Sequence, residues 1–540
     1  MALLLRLAGG FGVVLLLLLL LAGLIYYLCL LPPTEPRGIP SIPFWVALLP
    51  LVKDVDQQVV FARYIEKPLR THGAVKIFFA SKWNLLLHRP ALLADLFKHE
   101  DRYQKSGNQK KIPGSVLASF LGDNIISSHG QIWKSYRQII QPGLQRQFDL
   151  DVLLTNADRL CDMLVDSQAD KSHNGDGISV QASIQRHTIA NFAQVVYEVD
   201  LGKTLRSKAA YLDHLQRRIK REIFKPIFMN FPFLDRLGFP SRRRARLLAA
   251  HFTDQLVEAL ERAHPTDVKE PRNLPCSLLA ARKTGELTEQ QFRDNVTVLF
   301  VAGQENPQLA ILSTMYLLAK HPEIQERLHD EVVAAGSQVP THDVLQSMPL
   351  LTAILLESLR LLPPIGQLLN RRAAEPLILG NGIFVPQGTY LGYNCYSTNR
   401  DPLAWGIDAD QFRPRRWGSN AADIQREFRR RRARAEFISF HGGRRACLGE
   451  RFAMLQMKAT LFVLAKRLRW KLDSTWEDKM TPKHQVMPRM RYLPNAYGLF
   501  PTLRPEVGDE LKVPVAQEQN HTNCWGIKEE YGWFRTIFVA

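Results

Sequence analysis

Ten residues, Phe440-His-Gly-Gly443-Arg-Arg445-Ala-Cys447-Leu-Gly449, constrain this chain more than any other stretch. One cysteine lies between glycines, with an arginine two positions before it and an apolar helical run after it. A thiolate that holds a metal alone needs backbone N–H groups aimed at the sulfur and small neighbours that admit a bulky group. A nearby cation would lower the thiol pKa so that the ligand is ionised. Zinc and iron–sulfur clusters want further Cys or His at ligand spacing, and the nearest other cysteines are Cys395 and Cys524. Haem iron with one axial thiolate suits the pattern better than either.

The stretch reads FxxGxRxCxG, and on it the chain resembles the cytochrome P450 family. The resemblance implies a mainly α fold with smaller β-sheets (α+β). It also implies haem b with Cys447 as axial iron ligand, seated among Phe440, Gly443, Arg445 and Gly449. Dioxygen would be activated opposite the sulfur to oxidise a small-molecule substrate. No flavin or dinucleotide signature accompanies the motif, so electrons from NADPH would arrive through a separate NADPH–cytochrome P450 reductase.

The 540 residues carry a formal charge of +18. The clusters Arg242–Arg244 and Arg429–Arg432 lack the aromatic and glycine interleaving of a nucleic-acid module, so no nucleic-acid partner is expected. A basic surface suits an anionic membrane and an acidic electron donor. Six scattered cysteines form no disulfide framework and suit a reducing compartment.

Residues 7–31 carry no charge and include the leucine run Leu15–Leu21. The stretch is long enough to cross a bilayer as a helix, and it runs past the weak cleavage candidate Ala22-Gly23. The expected organisation is a membrane anchor at 1–31, a Pro-rich hinge at 32–44, a haem-thiolate monooxygenase domain at 45–504, and a tail at 505–540. The family resemblance implies a single-pass protein of the endoplasmic reticulum with a cytosolic body, contacting membrane lipid. Strands are expected at Ala74–Phe79, Trp83–His88, Leu377–Val385 and Thr389–Tyr393, with loops at Asp170–Gly177 and Thr266–Asn273.

Glu357-Ser-Leu-Arg360 puts a carboxylate and a guanidinium on one helix face. Further on comes Pro414-Arg-Arg416-Trp417. The resemblance joins them as a Glu357–Arg360–Arg416 network that holds the cysteine loop from beneath. Trp133 and Arg137 lie one helical turn apart. With Arg445, and with Arg372 as a fourth, they are the resemblance-based partners of the two haem propionates.

Thr288-Glu-Gln-Gln291 is a capping box that opens a long apolar helix. Its centre, Ala302-Gly303-Gln304-Glu305-Asn306-Pro307, allows close approach to a flat cofactor. Pro307 cannot bond to the Gly303 carbonyl, so the helix is expected to open there. The family pattern is AGx(D/E)T, and here Asn306 replaces the threonine. An amide orients water but exchanges protons poorly, so Glu305 and water must carry more of the proton relay. Hydroxylation and oxidative coupling of a phenol both stay open. So does a haem-binding protein without turnover, or a peroxygenase or isomerase that needs no reductase.

The Glu-Asn-Pro-Gln variant, with Lys105-Ser-Gly107-Asn-Gln-Lys-Lys111 upstream, is similar to fungal members that include the dityrosine-forming oxidases of spore walls. That similarity implies an aromatic, amino-acid-derived or other secondary-metabolite substrate. The sequon at Asn295 lies inside the proposed buried helix and is expected to carry no glycan; a second stands at Asn520.

Overall fold

The computed structural model describes residues 26–52, 55–169, 177–199, 208–264, 273–336, 339–380, 382–473 and 489–494, with scattered positions between 13 and 24. The expected tail at 505–540, the sequon at Asn520, and most of the 170–177 and 266–273 loops lie outside them. Among the described residues no helix is long and apolar enough to cross a membrane. Of the segment expected to span one, the continuous described part is a single π-helical turn, Tyr26–Leu30.

Five strands form the main sheet: β1 (Ala74–Phe79), β2 (Lys82–Leu87), β3 (Tyr103–Lys105), β4 (Gln367–Ala373) and β5 (Tyr390–Asn394). Their order is β1-β2-β5-β4-β3. β1 and β2 are an antiparallel hairpin, and β2 runs parallel to β5. Sequence placed β1, β2 and β5 to within a residue of these bounds. The expected strand at 377–385 is instead a short hairpin, Leu377–Leu379 with Ile383–Val385. β3 and β4 were not anticipated. β4 pairs with β5 through a register shift between Leu368 and Arg371, which breaks the period-two pattern that marks a strand.

A second sheet joins three short strands, Ile178–Ser179, Arg489–Pro494 and Leu468–Leu472, and helices make up most of the rest. The ones that build the site are α1 (Gly130–Leu144), α2 (Leu150–Ala169), α3 (Gln181–Asn191), α4 (Lys208–Ile223), α5 (Pro240–Ala263), α6 (Glu289–Lys320), α7 (Pro349–Leu361), α8 (Ala421–Ala433) and α9 (Glu450–Arg467). α6 runs through the middle of the main core, and most of its residues are buried. Its capping box forms as expected: Thr288 Oγ1 accepts from Gln291 N, and Gln291 Oε1 accepts from Thr288 N. Pro307 removes one backbone bond without ending the helix, so the expected opening is only a missing bond. Asn295 is fully buried, accepts from Ile125 N at 3.0 Å and donates to Gln291 O at 2.8 Å. No glycan fits on such a side chain.

His187 ties three helices together. It lies on α3, contacts Asn156 O of α2 at 3.1 Å, and meets Thr460 Oγ1 of α9 at 2.8 Å. Burial pushes its pKa down from 6.5 to about 4. The native state therefore holds fewer protons here than the unfolded chain. The stability contributed by the neutral ring is complete above about pH 6.5 and is lost as pH falls toward 4. Denaturant midpoints measured between pH 7 and pH 5 should fall for the wild type, and His187→Gln should fall less steeply over that range.

Candidate active site

The cysteine loop is closed by one backbone bond, Cys447 N to Phe440 O at 3.0 Å. Gly443 sits at φ +63°, and a Cβ there would lie 2.2 Å from the carbonyl oxygen of Phe97. Only glycine lets the loop turn so close to the helix Pro90–Lys98 that carries Phe97. Gly449 is the N-cap of α9, and its N–H and that of Glu450 point at the sulfur. The sulfur opens into a cavity and not onto the outer surface.

Burial wins over those donors, and the Cys447 thiol is pushed up to about 11. The expectation of a cation-lowered thiol is thus reversed in the protein alone. Arg445 contacts Glu100 and backbone carbonyls, and the cation that acts on the sulfur is Arg432. A metal would displace the proton outright, because a coordinated thiol is deprotonated. Enclosure makes the sulfur a poor free thiolate while keeping water away from a metal bond.

Cations gather at one edge of the cavity. Arg445 donates to Glu100 Oε1 at 3.1 Å and Ser128 O at 2.6 Å, and it lies 4.3 Å from the centre of the Trp133 ring. Arg137 donates to Arg444 O at 2.8 Å. Lys105 lines the same cavity, and burial lowers its ammonium pKa well below the ordinary value, with Arg371 and Arg445 adding to the effect. Arg371 is 1% exposed. Glu100 is the one carboxylate acting on Lys105, Arg371 and Arg445 alike. Such an excess of buried positive charge fits a group with two carboxylates.

Arg372 was expected beside these cations as a fourth partner of the propionates. It is exposed, donates to Gly388 O at 3.3 Å, and does not line the cavity. Its neighbour Arg371 is the buried one, because the shift in β4 sends Asn370 and Arg371 inward together. Strand alternation read from sequence could not reveal that. Lys105 was equally hidden, since β3 is only three residues long.

Ala302, Gly303 and Asn306 of α6 line the cavity, as do Trp133, Arg137, Phe440, Arg445, Cys447 and Gly449. It holds about 1300 Å³ of atom-free space, part of it open to solvent. A slot with a thiol on one wall, a helix with small residues on another, and cations at its edge fits haem. Gly303 has an added reason to be small: a Cβ there would strike the Phe192 ring at 1.9 Å. Asn306 Nδ2 donates back to Ala302 O at 3.1 Å. Glu305 is 1% exposed and does not line the cavity; its carboxylate lies 3.2 Å from Lys220 Nζ on α4.

Beneath the loop, Glu357 accepts two bonds from Arg360 at 2.8 Å each and one from Arg416 at 2.8 Å. Trp417 Nε1 and Arg413 N add bonds at 3.0 Å. Arg360 also caps Asn399 O, Ala409 O and Gln411 O. Asn399 passes the restraint on: its Oδ1 accepts from Ile438 N at 3.0 Å and its Nδ2 donates to Ser439 Oγ at 2.8 Å. Those two residues precede Phe440. Sequence named the triad but not this amide link.

A family model described as Cytochrome P450 matches residues 36–495. The chain belongs to the cytochrome P450 family. This P450 is 39% identical over 468 residues to cytochrome P450-DIT2 of Saccharomyces cerevisiae, a match that covers 86% of this chain and 94% of that protein. It is 38% identical over 481 residues to cytochrome P450 monooxygenase xanG of Aspergillus fumigatus, covering 85% and 89%. The solved heme domain of cytochrome P450DA shares its fold, with a TM-score of 0.67 at 20% identity over 85% of this chain and 98% of that one. The enzyme is thus a P450 monooxygenase, which uses haem, dioxygen and electrons from a reductase partner.

Removing one partner of the buried network leaves the others uncompensated, at a cost of about 3–5 kcal/mol. Arg360→Ala should lower the thermal midpoint sharply, and the purified protein should carry little haem per chain by its Soret absorbance.

Proposed function

We propose that this P450 oxidises a small, largely apolar organic molecule, aromatic or otherwise of secondary-metabolite type. The supporting observation is the lining of the cavity above Cys447: Ile125, Ile126, Leu299, Leu359, Pro364 and Ile365 offer shape and no charge. Haem, when bound through Cys447, supplies the activation of dioxygen by electrons from the reductase. The protein's own tasks follow from its geometry. Cys447 holds the iron, and the Gly449 and Glu450 N–H groups steady the sulfur's charge. Trp133, Arg137, Lys105 and Arg445 hold the carboxylates at the edge, with the Arg371 charge acting on Lys105 and Arg445 from behind them. Asn306 orients water on the α6 side, and the apolar walls exclude the rest.

One observation favours a second reading, oxidative coupling of a phenol. Asn306 spends an amide hydrogen on Ala302 O, and Glu305 faces away, so α6 presents no proton-exchanging group directly to the cavity. A substrate that gives up its own hydrogen atoms suits such a site. The similarity to dityrosine-forming oxidases noted above points the same way.

Residues 7–31 serve in this proposal as an anchor in the endoplasmic reticulum, with 32–44 as a stiff connector and 45–504 as the cytosolic catalytic body. Arg429 and Arg430, exposed near the end of α8, offer positive charge to an acidic reductase.

Microsomes that carry the full chain with a P450 reductase should consume NADPH in the presence of a tyrosine-derived phenol. Mass spectrometry separates the readings: hydroxylation adds one oxygen, and coupling doubles the mass less two hydrogens. Cys447→Ser should abolish both products and the red-shifted Soret band of the reduced carbonyl complex.

A further inference from the structure

Beside the haem cavity lies a smaller pocket that the site described above does not use. It holds about 210 Å³ of atom-free space and is lined from the short helix Asn108–Lys111, the segment 121–127 and α6. Among the described residues, Ile126 is the only one on the walls of both spaces. Val298 of the pocket precedes Leu299 of the cavity on α6. None of the residues that line the pocket carries a charge. Gly107 lets its walls close together: a Cβ there would lie 2.2 Å from Ser127 Cβ and 2.4 Å from Gln109 Oε1.

Most polar groups on these walls are used within the protein. Asn124 Oδ1 accepts from Ile126 N at 2.9 Å and Ser127 N at 3.1 Å, and its Nδ2 donates to Leu121 O at 2.9 Å. Ser127 Oγ accepts from Gln109 Nε2 at 3.1 Å and from Asn124 N at 3.3 Å. Gln109 Nε2 also donates to Asp123 Oδ1 at 3.0 Å. That carboxylate fixes which way the amide faces, since an oxygen in place of the nitrogen would be repelled. Two atoms are left over. Asn108 is 7% exposed, and its Nδ2 has no hydrogen-bond partner among the described residues; neither has the buried Gln109 Oε1. A buried donor and a buried acceptor left unmade destabilise the free fold and favour any molecule that completes both bonds.

A hydroxyl can do so, because it donates and accepts through one oxygen. A carboxylate would suit Asn108 but not Gln109, and it would meet the Asp123 charge with no cation on the pocket wall. An ammonium would suit Gln109 but not Asn108. We propose that the pocket is a specificity subsite of the active site, where Asn108 and Gln109 hold an uncharged hydroxyl of an aromatic substrate. The proposal rests on the reading above, that a small, largely apolar organic molecule is oxidised over Cys447. Cys447 is not on the pocket wall, so the hydroxyl held here is not the group that reacts. It fixes one end of the molecule, and the apolar remainder passes Ile126 into the cavity.

The test uses the full-length, haem-loaded protein and its Asn108→Leu and Gln109→Met variants, with para-hexylphenol, hexylbenzene and para-hexylbenzoate as probes. Dissociation constants are read from the change in the Soret band on titration, which does not depend on turnover. The wild type should bind para-hexylphenol at least about tenfold tighter than either other probe. Asn108→Leu should erase that preference by weakening the phenol alone, with hexylbenzene binding, haem content and thermal midpoint retained. A merely structural role for Asn108 would not separate the probes. Gln109→Met should erase it too, at a lower thermal midpoint, because its bonds to Asp123 and Ser127 are lost. Failure of the wild type to prefer the phenol would overturn the subsite and leave the pocket as a place for ordered water only. A preference that survives in Asn108→Leu would overturn it as well. A wild type that oxidises no NADPH with a P450 reductase in air would separately refute the monooxygenase reading.

Discussion

The carboxylate of Glu357 is fully buried and accepts five hydrogen bonds, from Arg360, Arg416, Trp417 and the backbone of Arg413. An ionised carboxylate in that position would be prohibitive without such partners. Because the donors come from two distant stretches, α7 and 413–417, satisfying the charge forces them together. Arg360 then caps three carbonyls between 399 and 411, and Asn399 carries the restraint to Ile438 and Ser439. The cysteine loop thus inherits its position from a charge that lines no part of the cavity.

Above that frame, the electrostatics of the site suit an anionic, metal-bearing group. The Cys447 thiol is held protonated by enclosure, despite two N–H groups aimed at it. Lys105 and Arg371 share one edge with Arg445, and Glu100 is the carboxylate common to all three. Each of these is unfavourable alone and becomes favourable together with a dianionic iron porphyrin. The protein stores this cost by packing around the site, where relaxation of any one group would open cavities or strand the rest.

Much of the site was legible in the chain. The cysteine loop, the Glu357–Arg360 spacing, the Trp133–Arg137 turn and the Thr288–Gln291 cap are local patterns, each decided by chemistry within a few residues. What could not be read depended on contacts across the sheet or between helices. That Arg371 is buried and Arg372 exposed could not be read locally, because a register shift near residue 370 breaks the alternation of β4. Sequence spacing shows which residues share a helix with Glu305, but not that Lys220, 85 positions earlier (305 − 220), would lie against its carboxylate. The small size of Gly303 was assigned to a cofactor, and Phe192 proved to need it as well.

The family, and with it the haem cofactor, was settled by residue order, since the motifs that mark it rest on short-range spacing that folding does not alter. Which side chains face one another across α4 and α6, which arginine of β4 turns inward, and whether the buried thiol is charged were settled only when the chain closed on itself. Burial and partner choice are properties of the packed interior. They depend on distances between residues far apart in the chain, and no local pattern encodes them.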